Sequence, residues 1–237
     1  MTALRGVALA IALTAATPAL AGGEACQNGN TWRDPLDLYG NELSFDVFRN
    51  GDEVGFHRVS FRPAGDSLIV KSEFSVEVQV LFFTAYRYRY TSTDVWRHGC
   101  LVSLEAEVED NGTPSVVRAK AENSRLTIVG PSGVAVTDAG MFPTNHWHAG
   151  VLGAERVLNT ITGTGADVRI VDDGVDWVTV DGEIQPVRRY HYTGDLQNTV
   201  WYDEDGRWVK MRFAAEDGST IEYVCTQCRR APSQAPS

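Results

Sequence analysis

The sequence predicts a mainly β protein with one large curved, mostly antiparallel sheet of about ten strands. The sheet is expected to resemble half a barrel, with one short central helix packed on it. Apolar and polar side chains alternate with a period of two along most of the chain, which is the pattern of strands with one buried face. Short turns rich in Asp, Asn and Gly separate these runs, as in antiparallel hairpins. Because a long twisted sheet must hide its apolar face, the helix is the expected cover.

The N-terminal 21 residues predict a signal peptide. Arg5 supplies a positive charge, residues 7–16 form a short apolar stretch, and residues 19–21 have the Ala-x-Ala pattern that signal peptidase cleaves after Ala21. The stretch is too short to span a bilayer, which takes about 20 residues. We therefore expect a periplasmic or secreted protein whose mature chain has no transmembrane segment.

The composition excludes several protein classes. The chain has 237 residues, is 43% hydrophobic, and carries 21 Lys and Arg against 31 Asp and Glu, a formal charge of −10. This is the composition of a folded protein and not of a disordered or coiled-coil chain. An acidic protein lacks the basic stripe that nucleic acid requires, so no nucleic-acid partner is expected. The expected organisation is a signal peptide (1–21), an N-terminal extension (22–38), a single β-rich domain (39–228) and a disordered tail (229–237).

The longest alternation runs over residues 76–90 and predicts one long strand. Tyr86, Tyr88 and Tyr90 form an aromatic stripe on one face of it, and Trp96 follows closely. Other strands are expected on either side of the predicted turns, which are Asn50-Gly51, 63–66, 110–112, 172–174, 181–182, 203–206 and 216–218.

One segment, 142–159, breaks the alternation and predicts the single helix. Trp147 and Val151 have helical spacing, and Thr144 or Asn145 would cap the N-terminus.

The four cysteines are predicted to form structural disulfides. Cys26, Cys100, Cys225 and Cys228 can pair in three ways, and an exported chain enters an oxidising compartment. We expect one of Cys225 and Cys228 to tie Cys26 to the last strand, closing a long loop worth several kcal/mol. Redox catalysis or zinc binding by the Cys-x-x-Cys motif is the less favoured alternative.

The motifs spread over residues 39–223 resemble a family of exported bacterial proteins known only as a domain of unknown function. The blocks that carry the resemblance are YGNELSFDVFRNG at 39–51, GFH at 55–57, VLNT at 157–160 and WYDEDGRWV at 201–209. The resemblance implies no activity, so no catalytic residue is transferred from it. More loosely, the strand-rich layout around one helix is similar to the curved sheets of periplasmic lipoprotein carriers, which hold acyl chains; this similarity is one of architecture alone.

The strongest metal candidate is His146-Trp147-His148. On a strand the two imidazoles would share a face, and His57 or His191 would complete a site. In the expected helix, residues two apart point about 200° away from each other and do not chelate together. We therefore predict no metal site, and a capping or solvent-facing histidine pair.

No catalytic motif and no cofactor is predicted, because G-x-S-x-G, P-loop and G-x-G-x-x-G sequences are all missing. The leading hypothesis is a non-enzymatic protein that binds a lipid or another hydrophobic molecule between sheet and helix. The candidate ligand-binding residues are Tyr86, Tyr88, Tyr90, Trp96 and Trp147. The alternatives are a periplasmic hydrolase or lyase that uses the same cleft, and a structural or partner-binding module without a small ligand, in which these aromatics are packing alone.

Overall fold

The computed structural model describes residues 32–80 and 83–229. Over these residues the chain forms one sheet of 15 strands, which confirms the mainly β class but exceeds the predicted number of about ten. The strands are β1 (Glu42–Arg49), β2 (Asp52–Ala64), β3 (Ser67–Val80), β4 (Phe83–Arg97), β5 (Cys100–Asp110), β6 (Thr113–Glu122), β7 (Arg125–Gly130), β8 (Gly133–Asp138), β9 (Phe142–Pro143), β10 (Arg156–Asn159), β11 (Thr164–Val180), β12 (Glu183–Gly194), β13 (Asn198–Tyr202), β14 (Trp208–Ala214) and β15 (Thr220–Gln227).

The strand order is that of two meanders joined in the middle. Strands β1 to β8 follow one another outward in one direction, and β15 back to β9 follow in the other. The two meanders meet where β1 pairs antiparallel with β15, with Val47 opposite Tyr223. The β9–β10 pair is parallel, whereas all the other described strand pairs are antiparallel.

Most of the predicted turns are confirmed. Asn50 and Gly51 connect β1 to β2 with φ of 51° and 94°, the positive values that favour Asn-Gly in tight hairpins. The predicted turn at 172–174 is wrong, because β11 runs on through it. The register against β12 shifts between Asp172 and Gly174, so the extra residue forms a β-bulge inside one 17-residue strand.

The predicted single strand over residues 76–90 is also wrong. The chain reverses there, and β3 pairs with β4 in a long hairpin with Val80 opposite Phe83. The sequence from 78 to 85 contains no Gly, Pro, Asn or Asp, so the usual turn signals are missing. The tyrosines nevertheless lie on the predicted apolar face, because Tyr88 lies opposite Val76 and Tyr90 lies opposite Phe74.

The predicted helix over residues 142–159 is replaced by short irregular elements. They are β9, a 3-10 helix (Ala149–Gly153) and β10. Gly150 and Gly153 lie inside the 3-10 helix and weaken any longer helix there. The segment nevertheless packs on the core of the sheet, with Trp147, Val151 and Leu158 all buried. The described α-helix, α1 (Pro35–Leu38), lies near the N-terminus and is capped by Asp34.

The sheet curls until its two ends approach each other. Gly130 at the end of β7 lies against Gly163 in the turn between β10 and β11, so closely that a Cβ on Gly163 would stand 3.0 Å from Gly130 Cα. A second contact joins Tyr90 of β4 to Thr160, next to β10, through a 3.1 Å hydrogen bond. These contacts place residues 142–160 inside the curve of the sheet.

The cysteines pair differently from the expectation. Cys225 and Cys228 form a disulfide with each other, so neither ties the last strand to Cys26. Disulfide formation is confirmed for this pair, and Cys100 is also disulfide-bonded. Cys26 and the predicted signal peptide lie outside the described residues. None of the helices among the described residues has the length and apolar character needed to cross a membrane.

Candidate ligand-binding site

Seven rings on the inner side of the sheet form a continuous series of contacts, which we call the aromatic row. Successive ring centroids lie between 5.4 and 5.8 Å apart. In order, the row consists of Tyr88, Phe74, Tyr223, His57, Trp208, His146 and Tyr192.

The register of the strands explains why these rings meet. His57 of β2 lies between its cross-strand partners Phe45 of β1 and Phe74 of β3. Alternation then directs Val59 and Phe61 inward along with His57, and all three are buried. Tyr223 enters from β15 and contacts both Phe74 and His57. The row therefore crosses the seam between the two meanders.

His146 is held at the inner end of the row by backbone contacts of its segment. The hydroxyl of Tyr202 donates to the His146 carbonyl oxygen at 2.7 Å. The hydroxyl of Tyr39 donates to the Trp147 carbonyl oxygen at 3.0 Å and accepts from the Trp208 amide at 2.9 Å. The first two bonds fix the segment that carries His146 against β13 and Tyr39, and the third ties Tyr39 to β14.

Four polar atoms of the row have no hydrogen-bond partner among the described residues. They are Nδ1 of His57, Nδ1 of His146 and the hydroxyl oxygens of Tyr88 and Tyr192, and each atom is shielded from solvent. His57, His146 and Tyr192 are at least 91% buried. Buried polar atoms are nearly always paired, so four unpaired atoms in one row need a chemical partner. Such a partner is what a small polar group of a ligand provides.

The polar groups of the row are uncharged at neutral pH. Burial lowers the pKa of His57 to about 3, with a smaller contribution from the nearby His146, and burial lowers the pKa of His146 to about 4. Burial also raises the pKa of the Tyr88 and Tyr192 hydroxyls well above the usual value of 10. The row is thus a neutral surface that combines apolar faces with four hydrogen-bonding atoms.

The predicted stripe connects the row to solvent. Tyr86, Tyr88 and Phe74 are half-buried, whereas the other five rings of the row are buried. Burial, followed by a hydrogen bond with Asp110, raises the pKa of Tyr86 to about 12. Val78, the cross-strand partner of Tyr86, lines a surface cleft of about 500 Å³ together with Arg49, Asp52, Glu53, Gly55 and Glu77. The cross-strand partner of Tyr86 therefore lines a surface cleft whose other walls are mainly charged side chains.

The other candidate residues from the sequence lie beside the row. Tyr90 donates its hydroxyl to Thr160 and so has a partner within the protein. Trp96 and Trp147 are buried and pack edge to face with centroids 5.1 Å apart. Tyr88 is thus part of the row, whereas Tyr86 is half-buried and lies outside it. Both tryptophans pack in the adjoining core.

The histidine pair of the sequence does not behave as a unit. His148 caps the 3-10 helix, its Nδ1 accepting from the Gly150 amide at 3.0 Å, as the capping prediction required. Both His146 and His148 are buried, so the solvent-facing alternative is wrong. His191 is exposed on β12. The described residues contain no group of three His, Cys, Asp or Glu side chains arranged to hold a metal ion.

A buried carboxyl, Asp94, lies on β4 and is bonded to the residue that precedes His146. Its Oδ2 accepts from Asn145 Nδ2 at 2.7 Å, while Ser92 and Trp96 give weaker interactions outside ideal geometry. Burial raises the pKa of Asp94 to about 7, although hydrogen bonding from Ser92, Trp96 and Asn145 opposes this rise. The carboxyl thus anchors the 142–148 segment to β4 through Asn145.

Sequence reasoning missed most of the row. His57 had appeared only as a third metal ligand, and Phe74, Tyr192, Trp208 and Tyr223 were not singled out. One signal could have found His57, because it occupies the apolar phase of the alternation that Val59 and Phe61 continue. The partners in other strands had no such signal, since their meeting depends on the β1–β15 pairing between chain segments about 180 residues apart.

The fold and the row define a class of protein: a mainly β molecule whose open, strongly curved sheet carries an inner row of aromatic and imidazole rings. The chain belongs to the family described as domain of unknown function DUF6134, whose model matches residues 45–226. This confirms the predicted membership in a family of unknown function.

The fold is similar to a solved structure, the beta-barrel-like protein of domain of unknown function DUF1849 from Brucella abortus. The TM-score is 0.56 at 10% sequence identity, and the similarity covers 78% of this chain and 94% of that chain. At this identity the similarity concerns the fold alone. No curated protein matches the sequence.

Proposed function

We propose that this protein is an exported binding protein that holds a lipid or another small amphipathic molecule against the aromatic row. The ligand would lie between the sheet and the 142–159 segment, which takes the place of the expected helix. Its apolar part would pack on the rings, and its polar group would bond to the unpaired atoms of the row. The observation that carries the proposal is this series of seven rings, joined by six contacts, with four unpaired polar atoms.

Two further features support the proposal. The half-buried Tyr86 and Tyr88 expose part of the stripe to solvent, which is where an incoming molecule would first contact it. The rings also offer the large apolar faces that ligand sites use for affinity. Export is supported by the Cys225–Cys228 disulfide, because disulfides persist in oxidising compartments.

Native mass spectrometry of the full chain, expressed with its own leader and released gently from cells, tests the proposal directly. The expected result is a chain that begins at Gly22 and carries a noncovalent adduct of lipid mass. A chain that retains residues 1–21 would contradict export. An adduct-free chain that also fails to bind the neutral fluorescent probe N-phenyl-1-naphthylamine would contradict ligand binding and leave a structural module.

Tyr88→Ala separates a binding role from a packing role. If Tyr88 contacts the ligand, the variant weakens probe binding about fivefold or more and leaves the unfolding midpoint nearly unchanged. If Tyr88 only fills the core, probe binding is unaffected and the free energy of unfolding falls by about 3 kcal/mol. Arg89→Ala is the matched control, because Arg89 is the next residue on β4 and is exposed on the opposite face.

A further inference from the structure

The walls of the aromatic row contain no charged side chain that could neutralise a charged ligand. Among the described residues, the buried acidic side chains are Asp94 and Asp203, and no Lys or Arg is buried. Asp203 pairs with Arg207 at 2.6 Å. Asp94 accepts from Asn145 at Oδ2 and holds the segment that carries His146. An anionic head group entering the row would therefore meet no cation.

A charged group of either sign would lose its hydration in the row without compensation. Removing an ion from water is strongly unfavourable unless a partner of opposite charge is in place. An ammonium group in the row would lie beside neutral imidazoles and phenols, none of which carries the negative charge that would compensate it.

An uncharged oxygen matches the atoms that the row presents. The hydroxyl groups of Tyr88 and Tyr192 each donate one hydrogen bond and accept others, and a neutral imidazole donates or accepts at Nδ1 according to its tautomer. A ligand hydroxyl or carbonyl oxygen can satisfy His146 and Tyr192, whose ring centroids are 5.5 Å apart. His57 lies on the other side of Trp208, 5.5 Å from it, and offers a second anchoring atom.

We propose, resting on the proposed binding function, that the ligand is a neutral amphiphile with a hydroxyl or carbonyl group on an apolar body. Fatty alcohols, acylglycerols and prenyl alcohols or quinones belong to this chemical class, whereas free fatty acids and phospholipids do not. His146 and Tyr192 bind the polar oxygen, and Phe74, Trp208 and Tyr223 pack against the apolar body.

Displacement of bound N-phenyl-1-naphthylamine by three matched ten-carbon compounds at pH 8 tests the ligand class. The compounds are 1-decanol, decanoate and decylammonium, each below its aggregation limit. The expected result is that decanol displaces the probe at a concentration at least tenfold lower than either ion. Equal or stronger displacement by an ion would overturn the neutral class and leave the binding function intact, whereas failure of the probe itself to bind would contradict the binding function.

Tyr192→Phe tests which atoms bind the oxygen. Loss of one hydrogen bond weakens decanol binding about fivefold, and displacement by the two ions changes little. Because the variant removes an unpaired buried hydroxyl, the unfolding midpoint of the ligand-free protein does not fall. Tyr190→Phe on the same strand is the control and keeps full decanol affinity. Unchanged decanol affinity in Tyr192→Phe would overturn the assignment of the polar end.

Discussion

Three buried histidines make the stability of this protein sensitive to acid. Burial lowers the pKa of His57 to about 3 and of His146 and His148 to about 4, against a usual value of 6.5. Below pH 6.5 the unfolded chain therefore takes up protons that the folded chain refuses, and stability is lost as the pH falls from 6.5 toward 4. Each such histidine contributes about 1.4 kcal/mol per pH unit in this window.

His57→Leu is expected to reduce the slope of unfolding free energy against pH by about 1.4 kcal/mol per unit between pH 6 and 5. Urea unfolding at a series of pH values measures it, and the slope stays informative even if the variant is less stable overall. Exposed His191 provides the control, as His191→Gln. A slope that is the same in the His57 variant and the wild type would show that His57 takes up its proton in the folded state.

Asp94 acts in the opposite direction. Its folded-state pKa is about 7 and its usual value is 3.8, so between these values the folded chain holds a proton that the unfolded chain has released. Stability is therefore lost as the pH rises from about 4 to 7. The shift of about three units corresponds to a penalty on the order of 4 kcal/mol at pH 8.

Asp94→Asn removes this penalty while keeping the shape of the side chain. Asn145 can turn its amide, so that its unpaired Oδ1 accepts from the new amide group. We expect the variant to be more stable than the wild type in urea at pH 8, with the difference shrinking toward pH 4. A variant that is less stable than the wild type at pH 8 would show that the ionised carboxylate is needed to hold Asn145 in place.

At the scale of elements, closure of the sheet depends on two glycines. Gly163 has φ of +74°, and a Cβ there would stand 3.0 Å from Gly130 Cα. Gly163→Ala should cost about 1 kcal/mol for the left-handed backbone and an added amount for the displaced β7. Gly65→Ala is the control, because Gly65 has φ of +66° and nothing within 4 Å of its Cβ position. Equal losses in thermal unfolding for the two variants would show that the approach of the sheet ends contributes nothing.

The Cys225–Cys228 disulfide closes a loop of only four residues, so its contribution to stability is local. A loop of this length corresponds to about 2 kcal/mol in the chain-entropy relation, less than the several kcal/mol expected for a link to Cys26. The double variant Cys225→Ala, Cys228→Ala should lose about this amount in urea unfolding and keep a cooperative transition. A loss above 5 kcal/mol would mean that the pair restrains more than the end of β15.

Hairpins were predictable wherever turn chemistry was explicit. Asn50-Gly51 and Asp181-Gly182 have positive φ at both residues, and each connects adjacent strands. The β3–β4 turn lacked such residues, and the Asp172-Asp173-Gly174 sequence has turn chemistry inside a strand. At this sequence the neighbouring strand β12 keeps the chain extended, because Asp172 pairs with Tyr190 and Gly174 pairs with Arg189 on either side of the bulge.

At the scale of the whole molecule, the sequence predicted the class and the curved sheet but not the row inside it. The period of two determines which side chains face inward, and this was enough to place Tyr88 and Tyr90 correctly. Which inward side chains meet across the fold depends on long-range pairing and on the path of the 142–159 segment. Tyr202 and Tyr39 fix that path by donating hydrogen bonds to the carbonyl oxygens of His146 and Trp147. Bonds to backbone atoms do not depend on the side chain that follows, so no sequence pattern predicts them.

The central pairing of β1 with β15 also has a consequence for synthesis of the chain. The ribosome produces β1 among the first strands and β15 last, so the first meander can form hairpin by hairpin while its partner does not yet exist. During that interval β1 presents unpaired amide and carbonyl groups along one side, and these groups can pair with a strand of another chain. A nascent chain halted before Thr220 should therefore self-associate. A chain that includes β15 should not, because β15 then pairs with the free side of β1.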